Sequence, residues 1–352
     1  MSAESYRVDQ GNRTSLSRSI KEKPIAHRHP AWQQQLRDAV RDISELETLL
    51  KLPIGSLGPG PNRHSTFPLL VPRGFVERMR QGDPGDPLLR QVLPTPDEDS
   101  EQTGFCHDPL AEQSLARHGS ISKYPGRTLL ITTGACPVHC RYCFRREFPY
   151  PQQTAAHNDW QPALETIRET PGIREIILSG GDPLSLGNRG LRHLIQRIEA
   201  LPKIETLRIH TRFPIVLPAR IDDGLIEILE ATHLRTVVVV HANHPAEIDD
   251  SVATAARSLK QGVDCILNQS VLLREINDSV ETLIQLSERL LGAGILPYYL
   301  HLLDRVSGTT HFDVTEEKAA ALITAMRRQA PGYLIPTLVR DQVGELSKTP
   351  IA

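Results

Sequence analysis

The sequence lacks a dominant charge, a long apolar run and an even set of cysteines. Its 40 Lys and Arg stand against 42 Asp and Glu, for a formal charge of -2. That balance gives no bulk attraction to nucleic acid or to an anionic membrane, and neither is expected as a partner. No apolar stretch approaches the ~20 residues that a membrane-spanning helix needs. The N-terminus, MSAESYRVDQGNRTSLSRSIKEK, has no apolar centre of the secretory kind. Its Arg and Ser content is that of some transit peptides, but Glu4, Asp9 and Glu22 argue against one. A disordered polar tail over residues 1–30 is expected instead. Five cysteines, three of them between positions 136 and 143, are not the layout of a disulfide framework. A reducing, cytoplasmic location follows.

With 352 residues the chain is long enough for one large α/β domain with an extension. Residues 31–51 read as a helix, with Trp32, Leu36, Val40, Ile43, Leu46 and Leu50 at helical spacing. Segments such as PIGSLGPGPNRHS and QGDPGDPLLRQVLPTPDEDSE follow, rich in proline, glycine and charge. They mark residues 31–122 as a mainly helical and irregular extension wrapped on a larger body. The texture then changes. Apolar, β-branched runs at 128–133, 175–179, 206–211, 236–241, 264–271 and 295–303 predict strands. Helical patterns lie near 157–170, 188–200, 221–232, 246–262, 278–293 and 315–330. Such strands joined by crossover helices predict a parallel sheet covered on both faces. Six βα units over 123–335 predict a partial (β/α)6 barrel of the TIM type, its reactive groups at the C-terminal strand ends. Residues 336–352 form a C-terminal segment.

Just past the first strand stands TTGACPVHCRYCFRREF, with the spacing Cys136-x3-Cys140-x2-Cys143. Three thiolates this close can all reach one iron–sulfur cluster. Three ligands for four irons leave one iron open to chelate the amino and carboxylate groups of S-adenosylmethionine. A zinc knuckle is the alternative, but His139 adjoins Cys140 and no second CxxC pair completes the site. With Tyr142 before the last cysteine, the loop resembles that of radical S-adenosylmethionine enzymes. The second strand runs into LSGGDPL, where paired glycines let backbone approach a ligand. It resembles the motif that receives the methionine amino group, making Ser179, Gly180, Gly181 and Asp182 cofactor candidates. His210, Arg212, His241, Asn243, Asn268, Gln269 and Ser270 follow near later strand ends and are expected to line one cavity. Arg145 and Arg146 suit a carboxylate or phosphate. Asp304 and Asp341 could hold a cation. On position alone Lys348 reads as a solvated tail lysine, and Cys265 as a small core residue.

Taken together, VPRGFVERM, DPLLRQVLP, KYPGR, CFRREFPY, SGGDPL, RIHTRFPIVLPARI, HANHPAEI, LNQSVLLREIND, PYYLHLLD and SKTP resemble the lysine 2,3-aminomutases. These are radical enzymes that use a 4Fe-4S cluster, S-adenosylmethionine and pyridoxal 5'-phosphate. The resemblance implies that Lys348 carries pyridoxal phosphate, overturning its reading as a tail lysine. It implies that Arg145 grips the substrate carboxylate and that Asp304 and Asp341 receive the lysine ε-ammonium. Tyr124 and Arg127 match part of the coenzyme phosphate site, and His241 and Gln269 match cofactor-contacting positions. Lys123 departs from a more usual arginine or histidine. Ser279 stands where longer relatives place a zinc-ligand cysteine, so no zinc is expected.

The implied activity is an isomerase converting L-lysine to β-lysine, in the R form. The resemblance is to the subgroup whose product modifies elongation factor P. A flavodoxin- or ferredoxin-type electron donor, the elongation factor P lysyl-transfer enzyme and elongation factor P itself are then the implied partners. A free-lysine or other amino-acid 2,3-aminomutase in metabolism and a non-enzymatic cluster- or zinc-containing binding protein are the competing readings.

Overall fold

The computed structural model describes residues 31–61 and 67–351. The tail expected over residues 1–30 lies outside them. Among the described residues ten strands form one sheet in linear chain order. They are β1 (Ala116–Arg117), β2 (Ser120–Ile121), β3 (Arg127–Thr133), β4 (Glu175–Gly180), β5 (Thr206–Thr211), β6 (Arg235–Val240), β7 (Cys265–Val271), β8 (Leu296–His301), β9 (Thr337–Arg340) and β10 (Thr349–Pro350). Strands β3 to β9 all run parallel. The β1–β2 hairpin pairs antiparallel with β3, and β10 folds back antiparallel on β9. The order does not close on itself, as in a partial barrel.

Six crossover helices join the parallel strands: Gln161–Glu169, Asn188–Glu199, Asp223–Glu230, Asp250–Leu259, Val280–Gly292 and Glu316–Gln329. Four begin where a short polar side chain accepts from a backbone N–H of the first turn: Asp222 from Leu225, Asp249 from Val252, Ser279 from Thr282 and Thr315 from Lys318. Such caps satisfy an otherwise orphaned donor. Ser279 therefore has a local structural task of its own. Strand residues Leu130, Ile176, Leu178, Leu207, Ile209, Val239 and Val240 are fully buried, as a sheet covered on both faces requires.

All six expected strands are present. A seventh parallel strand, β9, extends the sheet into the segment that the sequence pattern set apart, because four residues are too few for periodicity to register. The single helix expected over 31–51 is two, Ala31–Arg37 and Ile43–Leu49. Val40 leaves the helical path to form a β-bridge with Val71, and Asp42 caps the second helix through Glu45 N–H.

The N-terminal helices are anchored on the barrel through one apolar cluster that contains Trp32, Leu46, Phe213 and Ile215. Trp32 is 3% exposed and meets the Phe213 ring edge-on at 5.7 Å. The Arg220 guanidinium lies 4.8 Å from the Trp32 ring centre and donates to the carbonyls of Leu184 (2.8 Å) and Leu186 (3.0 Å). Burial pulls its pKa down to about 10, so it still carries charge at neutral pH. Trp32→Ala should therefore cost about 3–5 kcal/mol by leaving a cavity against Phe213. Urea unfolding with an unchanged midpoint would show that this helix does not stabilise the barrel.

Candidate active site

A cavity of about 340 Å³ opens among the C-terminal strand ends and gathers residues from Leu110 to Lys348. Cys136, Cys140 and Cys143 line it, unpaired and half-buried, on the loop that follows β3. Burial pushes the Cys143 thiol up to about 11 and the Cys136 thiol well above its usual value. Thiolates here need a cationic group beside them, and binding one couples to proton release. Arg212 donates to Cys140 Sγ and the Tyr142 hydroxyl, and to Gln91 (2.9 Å) and Glu247 (3.1 Å). Among the described residues, no three His, Cys, Asp or Glu side chains group as ligands to a single ion. Around an iron–sulfur cube each cysteine takes its own iron, so its three thiols need not share one centre.

The end of β4 packs directly on this loop. Gly181 N donates to Thr133 O and Asp182 N to Ala135 O, both at 2.7 Å. A Cβ at Gly180 would stand 2.7 Å from Thr133 O, and one at Gly181 only 2.4 Å from Ala135 O. The backbone at Gly180 also has φ +114°, where a side chain is strained. The glycines are thus required by backbone contact with the cysteine loop. Asp182 is buried, and its carboxylate accepts from Thr211 Oγ1 (2.8 Å), Arg212 N (2.7 Å) and Leu184 N (3.0 Å). Burial outweighs these bonds and pushes its pKa up to about 6. Its side chain ties β4 to β5, with little acceptor capacity left for a ligand.

Arg145 also lines the cavity, two residues beyond Cys143, and is 8% exposed. Glu112, 6% exposed, accepts from its Nε (2.6 Å) and Nη2 (2.9 Å), while Nη1 donates to Ser179 Oγ at 2.9 Å. Burial alone would lower the Arg145 pKa, and Glu112 more than reverses that.

Lys348, just before β10, lines the same cavity. Its ammonium donates to Asp341 Oδ2 at 2.8 Å, while Lys123 and Tyr124 donate to Oδ1. Burial alone would raise the Asp341 pKa, but the two lysines and the tyrosine hold it far below the carboxylate range. The Arg127 guanidinium lies 4.8 Å from the Tyr124 ring centre. Asp304 is in the opposite condition. Burial pushes it up to about 7, with Lys348 opposing and Asp341 adding to the rise.

His210, His241 and His301 line the walls, and burial holds all three below the usual imidazole value, His241 down to about 4. They are neutral at pH 7. His210 Nε2, His301 Nε2 and Gln269 Nε2 are buried without a hydrogen-bond partner among the described residues. Three orphaned polar atoms on β5, β7 and β8 of one cavity are what a site built to receive a polar ligand presents.

The structure therefore brings the cysteines, Ser179, Arg145, Tyr124, Arg127, His241, Gln269, Asp304, Asp341 and Lys348 to one cavity wall or another. Gly180, Gly181 and Asp182 border the same space, with their main evident work in backbone and strand ties. Glu112, His301 and the tilted ring pair Tyr298 and Tyr299 were not anticipated. The alternation of β8 toward the barrel interior could have flagged His301, but no local pattern marks Glu112.

The radical SAM superfamily model matches residues 130–286, the stretch from β3 through the cysteine loop to the helix after β7. Fold, loop and match define the class as a radical S-adenosylmethionine enzyme. The chain is 44% identical to the L-lysine 2,3-aminomutase of Escherichia coli (strain K12) over 321 residues, 91% of this chain and 94% of that protein. It is 40% identical to that of Haemophilus influenzae over 333 residues, 94% of this chain and 98% of that one. The L-lysine 2,3-aminomutase of Clostridium subterminale is 31% identical over 327 residues, 91% of this chain and 77% of that protein. The chain belongs to the L-lysine 2,3-aminomutase family, whose members use a 4Fe-4S cluster, S-adenosylmethionine and pyridoxal phosphate. The residues present fit those groups: three thiols on one loop, orphaned polar atoms on the walls and an amine in the same cavity.

The two aspartates should respond to substitution with opposite signs. Asp304 has a raised folded pKa, so its ionisation penalises the fold as pH climbs from its unfolded value of about 3.9 through about 7. Asp304→Asn should raise Tm at pH 8, with the gain shrinking at pH 5. Asp341, with its depressed pKa, stabilises the fold throughout that range, and Asp341→Asn should lower Tm at both pH values by stranding Lys123 and Lys348. Melting curves of the cofactor-free chain with shifts of the same sign would refute this assignment.

Proposed function

We propose that this chain catalyses the conversion of L-lysine to β-lysine, moving an amino group between adjacent carbons. The observation that carries the reading is that Cys136, Cys140 and Cys143 line the same cavity as Lys348, which comes from the other end of the chain. Moving an amine in this way requires breaking an unactivated C–H bond, for which no side-chain base suffices. Bound together, the cluster with S-adenosylmethionine supplies a radical for that bond, and pyridoxal phosphate supplies a π-bonded nitrogen able to bridge two carbons.

The protein's part is positioning. Cys136, Cys140 and Cys143 hold the cluster, Ser179 and its neighbours face S-adenosylmethionine, and Lys348 anchors the coenzyme. Tyr124 and Arg127 take its phosphate, and His241 and Gln269 border it. Arg145 retains one N–H on each terminal nitrogen for the substrate carboxylate. Asp304, with no side-chain hydrogen bond of its own among the described residues, takes the ε-ammonium, and Asp341 completes the negative end. Fixing both ends of lysine holds its β-carbon beside the radical source, and such orientation is worth up to ~7–11 kcal/mol in favourable cases. The neutral histidines keep the walls from competing for the substrate's charges.

The resemblance of its motifs supports placing the chain in the subgroup whose product modifies elongation factor P. There the product, in the R form, is attached to elongation factor P by its lysyl-transfer enzyme. The electron comes from a flavodoxin- or ferredoxin-type donor in the cytoplasm. No helix among the described residues is long and apolar enough to cross a membrane.

Anaerobically reconstituted protein with L-lysine, S-adenosylmethionine and reductant should form β-lysine, resolved by enantiomer. Lys348→Ala and Cys140→Ala should reduce turnover to background. Fully iron-loaded wild type that returns lysine unchanged would sink the reading. Adding elongation factor P and its lysyl-transfer enzyme should yield a β-lysyl adduct by mass spectrometry, and failure of that step alone would favour free-lysine metabolism.

A proton balance tests the ε-ammonium pocket. An ammonium beside Asp304 lowers its pKa from about 7, so lysine binding near pH 7 should expel a fraction of a proton. Calorimetry in two buffers of different ionisation enthalpy measures it. The release should vanish in Asp304→Asn, and an equal release in that variant would remove Asp304 from the pocket.

A further inference from the structure

A guanidinium carries five N–H groups in a rigid plane. In Arg145 three are engaged: Nε and Nη2 on the two oxygens of Glu112, and Nη1 on Ser179 Oγ. Two N–H groups remain, one on each terminal nitrogen. The Phe144 ring also lies 4.8 Å from the guanidinium carbon. Glu112 itself is fixed from outside the barrel. It opens the short helix Glu112–Leu115 of the extension, and Asp108 accepts from the backbone N–H of Glu112 (2.9 Å) and Gln113 (3.0 Å). The extension thus sets the direction in which a barrel-loop arginine points.

The pairing also changes what kind of anchor Arg145 is. A lone buried guanidinium attracts any anion from any side. One already neutralised by a two-point carboxylate draws an anion weakly through net charge, and holds it through the direction of its remaining N–H groups. We infer that Glu112 is a positioning residue for the aminomutase reaction: it aims Arg145 so that the substrate carboxylate is bound in one orientation. The inference rests on the reading of Arg145 as the carboxylate grip. Glu112 borders the same cavity, and the role assigned to it runs through its two hydrogen bonds to Arg145.

Removing the aim while keeping the charge of Arg145 separates binding from turnover. In Glu112→Gln the arginine is no longer neutralised, so L-lysine should bind at least as tightly, while kcat per iron-loaded chain falls at least ten-fold. Glu112→Asp keeps the ion pair but shortens its reach, and should fall between wild type and Gln. It carries the test should the Gln variant not fold. Dissociation constants come from calorimetry on the reconstituted holoenzyme, iron content from chemical assay and kcat from β-lysine formation. An unchanged kcat in both variants would overturn the inference. So would a rise in Kd and fall in kcat that track the loss of iron or of folded protein, since that is a structural effect. L-lysinamide, which lacks the carboxylate, isolates the reading underneath. Wild type and Glu112→Gln should prefer L-lysine over L-lysinamide, and Arg145→Gln should not. A preference retained in Arg145→Gln would dismiss Arg145 as the grip, whatever Glu112 does.

Discussion

Two backbone hydrogen bonds, from Gly181 N to Thr133 O and from Asp182 N to Ala135 O, hold the end of β4 against the start of the cysteine loop. Much of the site depends on that approach. It leaves no room for a Cβ at Gly180 or Gly181, and it brings the Ser179 hydroxyl to Arg145 just beyond the last cysteine. The buried carboxylate of Asp182 extends the tie to β5 by accepting from Thr211 and from Arg212 N. Arg212 then reaches back to Cys140 and Tyr142. A parallel sheet delivers its strand ends to one rim, but these short-range ties convert the rim into a cavity of fixed shape.

Charge within that cavity is segregated by pairing. At one end Glu112 neutralises Arg145; at the other, Lys123, Lys348 and Tyr124 converge on Asp341. Among the described residues Asp304 has no hydrogen-bonded partner for its side chain, and burial raises its pKa toward neutrality. Buried charge is costly unless compensated, and each exception to compensation marks a place where a ligand's charge would be welcome. Lysine, with a carboxylate at one end and an ammonium at the other, has the matching dipole. The three histidines that share this cavity are held neutral and add no competing charge.

Much of this was legible in the sequence for physical reasons. Strands buried on both faces must be apolar throughout, so β3 to β8 declared themselves as continuous runs. The cysteine loop is local, and its three thiols fall within one turn of chain. What escaped was short or distant. β9 has four residues, too few for a pattern, and the bridge from Val40 to Val71 broke a helix whose periodicity ran straight through the break. The ion pair from Glu112 to Arg145 spans 33 positions and that from Lys123 to Asp341 spans 218, and no local spacing encodes either. Lys348 was legible only through family resemblance, since four residues from the end a lysine has no pattern to belong to.

The closeness of Arg145 to Cys143 along the chain has a thermodynamic consequence. On the proposed reading of Cys143 as a cluster ligand and Arg145 as the carboxylate grip, one short loop makes iron loading and substrate binding linked equilibria. Linkage of this kind is reciprocal: whatever the cluster contributes to the order of Arg145, substrate held by Arg145 returns to the retention of iron. A chain without its cluster would then be a poor trap for lysine, and a chain engaged with lysine would be slower to lose its iron. On that reading a single intervening residue, Phe144, would couple the inorganic and organic halves of the site.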